Sequence, residues 1–304
     1  MTESIPKLAL GPVLYYWTKE TLLAFYERMS ATAVDIIYLG ETVCSKRRAL
    51  HFEEWLELAE RLQAAGKEVV LSTLALLEAE SEIKSLRRLC ENDRFTVEAN
   101  DMGAVRLLSE RNVPFVLGTG INVYSNRTLS FLVGLNAKRW VMPVELSRHT
   151  LASIQAQRPA DVETEVFAYG RLPLAYSARC FTARHHNLPK DDCQFRCLQY
   201  PEGLPLSTRE GQTFLAINGI QTQSAQTYNL LSELAELREL QVDVLRISPQ
   251  AEGTDTVVEA FAACLHGERD PVKAAQTINA TLPYGSCDGY WRGQPGLQEM
   301  MEVA

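Results

Sequence analysis

Short runs of β-branched and aromatic residues recur along this chain about every 25 to 30 residues, and most are followed by a stretch whose apolar residues return every three or four positions. That alternation is how βα units are written in a sequence, and it confines the chain to parallel α/β architectures. Strands are expected at 8–14, 34–39, 68–72, 95–98, 115–118, 139–144, 163–169, 213–218 and 242–247. This is one more than a closed eight-stranded barrel requires. Between them, Phe52, Trp55, Leu56, Ala59 and Leu62 share one helical face. Thr256 and Glu259 have capping-box spacing ahead of Phe261 and Leu265, and Gly66 and Gly267 stand where helix C-caps belong. No Pro/Ser-rich linker or charge block divides the 304 residues. The pattern therefore predicts one α/β domain over 1–304, a TIM-barrel-like (β/α)8 fold. A doubly wound sheet is the alternative, but its glycine fingerprint fails: Gly118 and Gly120 begin it, and Val123 occupies the third glycine position.

Charge and composition remove several functions. Thirty Lys and Arg against 38 Asp and Glu leave a net charge of −8, which repels phosphate backbones and anionic lipid. No nucleic-acid partner is expected. No apolar run approaches the roughly 18 residues of a membrane span, and the opening MTESIPKLALGP lacks a basic start with an apolar signal core. The expected location is the cytoplasm. Walker A, HExxH and GxSxG sequences are all missing.

One interval breaks the rhythm. More than 40 residues separate the strand ending at Tyr169 from the one starting at Thr213, with Pro173, Pro189, Pro201 and Pro205 inside and no helical period. Residues 170–212 are read as an irregular insertion, and connections this long in a compact domain are usually functional or disordered. The content argues for function: Leu172, Leu174, Tyr176, Phe181, Phe195 and Tyr200 accompany Cys180, Cys193 and Cys197.

Seven cysteines are too few for a disulfide scaffold, which favours thiol or metal chemistry. A thiolate centre would supply the order this segment lacks, because binding and folding become one event. Arg179, Arg184, Lys190 and Arg196 flank the three cysteines and favour thiolate over thiol. In a parallel barrel the loops after the strands gather at one face. Cys44 follows the strand ending at Leu39 and so faces the same way as the insertion; it is the preferred fourth ligand, with Cys287 as competitor. Cys90 falls toward the opposite face, and Cys264 shares a helical face with Phe261 and Leu265. Four thiolates suit either an iron–sulfur cluster or a structural zinc, and the wide ligand spacing leans toward the cluster. His185 or His186 could replace one cysteine around zinc.

The runs YGRLPLAYSARCFTARHHNLPKDDCQFRC, LGPVLYYW, YLGETVCSKRRA, MPVELSR, NGIQT and CDGYWR resemble the U32 "peptidase" family over nearly the full length. The resemblance implies a TIM-barrel-like domain holding a [4Fe–4S] cluster through Cys44, Cys180, Cys193 and Cys197. It further implies oxygen-independent hydroxylation of a polyprenylated aromatic precursor of ubiquinone, in a heterodimer with the sister protein UbiU. The implied oxygen source is prephenate, and a lipid-carrier protein is a further implied partner. The peptidase label does not suit the residues: Ser45 beside Cys44 has no evident histidine partner. Two other readings remain open here, a cluster-bearing scaffold that only docks on UbiU and a zinc-stabilised peptidase-like protein.

No catalytic residue is identifiable. Residues after the strands are candidates for substrate contact: Glu41, Ser72, Thr73, Glu98, Asn100, Asn122, Glu145, Arg148, Asn218, Arg246 and Gln250. Asn100 is expected to cap a helix beginning at Asp101, and Glu145 lies close to another helix start. Arg148 and Arg246 are candidates for binding a dicarboxylate donor such as prephenate. Tyr15, Tyr16, Trp17, Tyr290 and Trp291 are expected to help close the core at the two chain ends.

Overall fold

The computed structural model describes residues 5–298. Strands β1 (Lys7–Leu10), β2 (Ile36–Leu39), β3 (Glu68–Ser72), β4 (Thr96–Ala99), β5 (Phe115–Leu117), β6 (Ala137–Val141) and the first half of β7 (Glu163–Tyr176) pair in parallel in chain order. Four more strands follow: β8 (Leu204–Ser207), β9 (Thr213–Asn218), β10 (Gln221–Asn229) and β11 (Val244–Ile247), with a two-residue β12 (Ser286–Cys287) last. β11 pairs in parallel with both β1 and β7 and so closes an eight-stranded TIM-type barrel.

Helices α1 (Lys19–Ser30), α2 (Phe52–Ala64), α3 (Glu80–Cys90), α4 (Met102–Glu110), α5 (Asn126–Gly134) and α6 (Arg148–Gln155) cover the first six strands. The five-residue α7 (Phe181–His185) lies in the insertion, and α8 (Leu234–Glu239), α9 (Thr254–Leu265) and α10 (Pro271–Asn279) complete the outer layer. Each outer helix buries an apolar stripe, such as Leu58, Ala59 and Leu62 of α2, against strand residues that point away from the axis. Gly66 and Gly267 have φ of 85° and 76° just beyond α2 and α9, as C-cap glycines do. The expected Thr256–Glu259 capping box does not form. α9 starts three residues earlier, from the cap Gly253, so Thr256 already lies inside the helix.

The surplus expected strand is 213–218, which is not in the barrel. β7 runs on for 14 residues, and its second half turns antiparallel to β10, which continues to β9 and β8. The strand can leave the barrel because Gly170 has φ of +130°, and a Cβ there would sit 2.6 Å from that of Ser248. Residues 170–212 are therefore not structureless. They hold the extension of β7, α7, two 3₁₀ turns and β8. No helical period was visible because these pieces are each too short to show one.

The barrel interior is polar at both ends and apolar in the middle. Ala9, Ile36, Val70, Val116, Val141 and Val244 form the middle layer around Tyr38. At the N-terminal mouth, Lys7 and Arg139 pair with Glu68 and Glu163. No helix among the described residues is long and apolar enough to cross a membrane.

Candidate active site at the barrel mouth

The loop after β2 carries Cys44. It is shaped by Glu41, whose Oε1 accepts the backbone N–H of Val43 (2.9 Å) and of Cys44 (3.0 Å). Cys180 caps α7, its Sγ accepting from Ala183 N at 3.4 Å. α7 is latched to the β9–β10 hairpin by Phe181 N to Gly219 O (2.9 Å) and Gly219 N to Thr182 Oγ1 (3.0 Å). Lys46 donates to the carbonyls of Lys190 and Asp191, which ties the Cys44 loop to the turn before Cys193. Between Cys193 and Cys197, Gln194 and Phe195 both adopt left-handed backbone (φ 51° and 50°). Such residues cost on the order of 1 kcal/mol or more each, and here they fold the chain back on itself.

These attachments bring the Cys44 loop and the cysteine-bearing insertion to the same face of the barrel. Cys44 and Cys180 pack against the same apolar group of Leu14, Val43, Ile220 and Tyr176. Burial pushes the Cys44 thiol up, Arg47 opposes this, and the neighbouring Cys180 adds to it. Burial likewise raises Cys197 against Arg47, with Cys180 and Cys193 close enough to contribute. Arg47 is 4% exposed and is held by Leu14 O and Asn218 Oδ1, both at 2.7 Å. It is the buried cation of the group, and nothing in SKRR distinguished it from its neighbours in sequence. The competitor Cys287 is elsewhere. It sits on β12 beside Tyr228, seven residues along β10 from the end nearest Cys180, roughly 23 Å at about 3.3 Å per residue. Cys90 and Cys264 are buried under the outer helices.

Below the cysteines, a charged network fills the top of the barrel. Arg246 Nε donates to Glu165 Oε1 (2.5 Å) and its Nη1 to Glu98 Oε1 (2.8 Å). The guanidinium carbon lies 4.0 Å from the ring centre of Tyr38, whose hydroxyl donates to Glu165 Oε2 (2.5 Å). Ser72 Oγ and Asn100 Nδ2 donate to Glu98 Oε2 at 2.6 and 3.2 Å. Burial opposes the charge on Arg246, but Glu165 and Glu98 more than offset it and hold the guanidinium well above its ordinary value. Burial and the Glu165 carboxylate push the Tyr38 hydroxyl far up, so it stays a donor.

A cavity opens above this network, lined by Glu98, Asn100, Arg246 and Ser248 and by Leu14, Thr42 and Tyr176. Leu14 and Tyr176 also pack around Cys44 and Cys180, so the cavity and the cysteines share a wall. A second chamber of about 200 Å³ adjoins it across Thr119, Pro173 and Tyr176 and includes Asn122, Tyr124 and Glu145.

The other candidates separate. Asn100 is no cap: Asp101 caps α4, and Asn100 is buried with its amide donating to Thr73 O at 3.0 Å. Thr73 Oγ1 accepts from Asn100 N. Glu145 is no cap either, since Ser147 caps α6 while Glu145 accepts from Tyr124. Arg148 does not join Arg246; it pairs with Glu236 at 3.1 Å, as does the Trp291 indole at 3.0 Å. Tyr15, Trp17 and Trp291 are buried in the core, as expected of the chain-end aromatics, and the Trp17 indole donates to Pro201 O. Asn218 braces Arg47, and Gln250 accepts from Tyr15. Ser45 bonds Glu82, not a histidine. Glu165, Tyr38 and Arg139 were missed, although Glu163, Glu165 and Phe167 alternate along β7 as inward residues must.

Residues 23–291 match the sequence pattern of Peptidase family U32. The chain belongs to that family. A curated relative, tRNA hydroxylation protein P of Haemophilus influenzae, is 30% identical over 117 residues, covering 38% of this chain. The protein of the same name from Escherichia coli is 29% identical over the same length. In both cases the matched stretch spans only 25% of the relative. Among solved structures, a U32 peptidase has 12% identity and a TM-score of 0.47, covering 83% of this chain and 96% of its own. The N-acetylneuraminate lyase of Proteus mirabilis has 10% identity and a TM-score of 0.49, with coverage of 90% and 80%.

Proposed function

We propose that this chain is the iron–sulfur component of an oxygen-independent hydroxylase acting on the polyprenylated aromatic ring of a ubiquinone precursor, with UbiU as heterodimeric partner. The observation that supports the reading is that Cys44 and Cys180 pack on one apolar group beside the barrel-mouth cavity, with Cys197 close to Cys180 and Cys193. A cysteine from the first half of the chain, at position 44, resembles the ligand arrangement of the ubiquinone biosynthesis protein UbiV. The family relatives named for tRNA hydroxylation support hydroxylation as the reaction class.

The donor set suits a [4Fe–4S] cluster better than a single ion. Zinc with 2.3 Å bonds to sulfur would draw four thiolates to ~3.8 Å from one another. Among the described residues, no group of three or more His, Cys, Asp or Glu stands ready to hold a metal, so the cysteines would have to draw together as a metal centre binds. A cuboidal cluster accepts its four thiolates farther apart, and a bound cluster would supply electron transfer, which zinc does not. The chain's own residues do the rest. The four thiolates would hold the cluster and Arg47 would offset their charge, while Leu14 and Tyr176 screen the cavity from water. Prephenate remains the proposed oxygen donor, and a polyprenyl substrate calls for a lipid carrier or a cavity shared with the partner. A tRNA substrate, the reading favoured by the relatives' names, is opposed by the net charge of −8.

Anaerobic cells lacking this chain should accumulate the unhydroxylated prenylated precursor, measured by mass spectrometry, and the wild-type chain should restore hydroxylation. Cys193→Ala should fail to restore it while still co-purifying with UbiU. Loss of co-purification would favour the scaffold reading, and full restoration would contradict any role for the thiolates.

A further inference from the structure

One buried cation joins the loops that carry or support the cysteines. Arg47 follows Cys44 by three residues, and its side chain is 1% exposed. Nη1 donates to Leu14 O in the loop after β1, and Nη2 donates to Asn218 Oδ1 at the end of β9, both at 2.7 Å. Asn218 Nδ2 donates to the same Leu14 carbonyl at 2.7 Å, which closes a ring of hydrogen bonds and fixes the guanidinium in place. Gly219 makes room for it, since a Cβ there would lie 2.8 Å from Nη2. The same glycine latches α7, the helix that Cys180 caps.

Burial decides which of the nearby cations can act on the thiols. Lys46 is engaged by backbone carbonyls of the insertion, and Arg48 is exposed. Arg179 and Arg184 beside Cys180 are exposed as well, and ordinary salt screens exposed charges beyond about 8–10 Å. Arg47 is shielded instead: its guanidinium lies 6.0 Å from the ring centre of Tyr16, which packs against Phe195. Out of water, a fixed charge acts several times more strongly on its neighbours. Arg47 favours the thiolate at both Cys44 and Cys197, one residue from the early loop and one from the insertion. Its counter-charge is weakly placed. Glu41 Oε1 is 3.9 Å from Nη1 and already accepts two backbone N–H groups, while Arg47 Nε is buried with no hydrogen-bond partner.

We propose that Arg47 is a positioning residue that sets the reduction potential of the cluster, by holding a fixed positive charge against Cys44 and Cys197. This rests on the iron–sulfur reading and adds to it a named residue and a sign. One-electron reduction adds a negative charge beside four thiolates, so a buried cation favours the reduced state and raises the potential. The Glu41 carboxylate, next to the same guanidinium, works in the opposite direction.

The test is an EPR-monitored redox titration of anaerobically purified protein, with iron and acid-labile sulfide measured on every sample. Arg47→Gln should disfavour reduction tenfold or more, a negative shift of about 59 mV for one electron. Arg47→Lys, which keeps the charge, should stay nearer the wild-type value. Glu41→Gln should shift the potential upward, because it removes a negative charge while its amide oxygen can still accept the Val43 and Cys44 N–H groups. A residue that only braced the loops would change how much cluster is retained and leave the potential of the retained cluster alone. No negative shift in cluster-bearing Arg47→Gln overturns the inference. If that variant fails to hold the cluster, Glu41→Gln decides: an upward shift supports the inference, and an unchanged or lower potential overturns it. Wild-type protein without iron overturns the iron–sulfur reading and the inference with it, whereas iron-loaded wild type beside unshifted variants overturns the inference alone.

Discussion

Several side chains at the barrel mouth are fixed by what the neighbouring glycines lack. A Cβ on Gly118 would approach Asn100 Oδ1 at 2.1 Å and Glu98 Cγ at 2.8 Å, and neither can retreat without breaking the Glu98–Arg246–Glu165 network. Gly118→Ala should therefore destabilise the protein by about 1–3 kcal/mol in chemical denaturation. Gly134, at the end of α5, is the control, because a methyl group added there would meet nothing within 4 Å. Gly134→Ala should be neutral or gain up to about 1 kcal/mol. Equal effects at the two sites would mean the packing at Gly118 is wrong. Glu165 tests the network itself. Its carboxylate takes both the Tyr38 hydroxyl and Arg246, and it is fully buried. Glu165→Gln leaves a buried guanidinium short of a counter-charge, so a loss of about 3–5 kcal/mol in the same measurement is expected. A loss below about 1 kcal/mol would show the network carries little of the fold.

At the scale of elements, the eight barrel strands were legible as short apolar runs, most of them with a following helical stripe, a signal local enough to read residue by residue. The insertion was not. β7 continues without interruption from barrel to hairpin, and only the φ of Gly170 marks where it changes partners. A non-local pairing such as β7 with β10 leaves no periodic trace at either strand. The same holds at the candidate site: the cysteines stood out by type and spacing, whereas Arg47 and Glu165 owe their roles to partners 171 and 81 residues away. Within the insertion, α7 and the two 3₁₀ turns are too short to be stable alone, and Cys180, Cys193 and Cys197 lie among them. If the proposed metal centre orders this segment, removing it should loosen this element first. Limited proteolysis of chelator-treated protein is expected to cut within residues 177–212 before any barrel helix, while untreated protein resists. Identical digestion patterns would contradict a metal-ordered insertion.

For the whole molecule, the parts form a sequence along the barrel axis: an ion-paired N-terminal mouth, an apolar middle, a polar floor, a cavity, and Cys44 and Cys180 beside it. The axis places the chemistry where parallel barrels place it, at the ends of the strands that carry the connecting loops. The long excursion after β7 and the loop after β2 meet there because both leave the barrel from the same face, which is what the proposed joining of an early thiol with three from beyond the midpoint requires. Iron and acid-labile sulfide content of anaerobically purified single-cysteine variants addresses this arrangement most directly. Wild-type protein should carry about four irons per chain with broad absorbance near roughly 400 nm. Alanine at Cys44, Cys180, Cys193 or Cys197 should remove most of both iron and sulfide, whereas Cys90→Ala and Cys264→Ala should retain them. Full iron in Cys44→Ala, or loss of iron in Cys90→Ala or Cys264→Ala, would contradict the account.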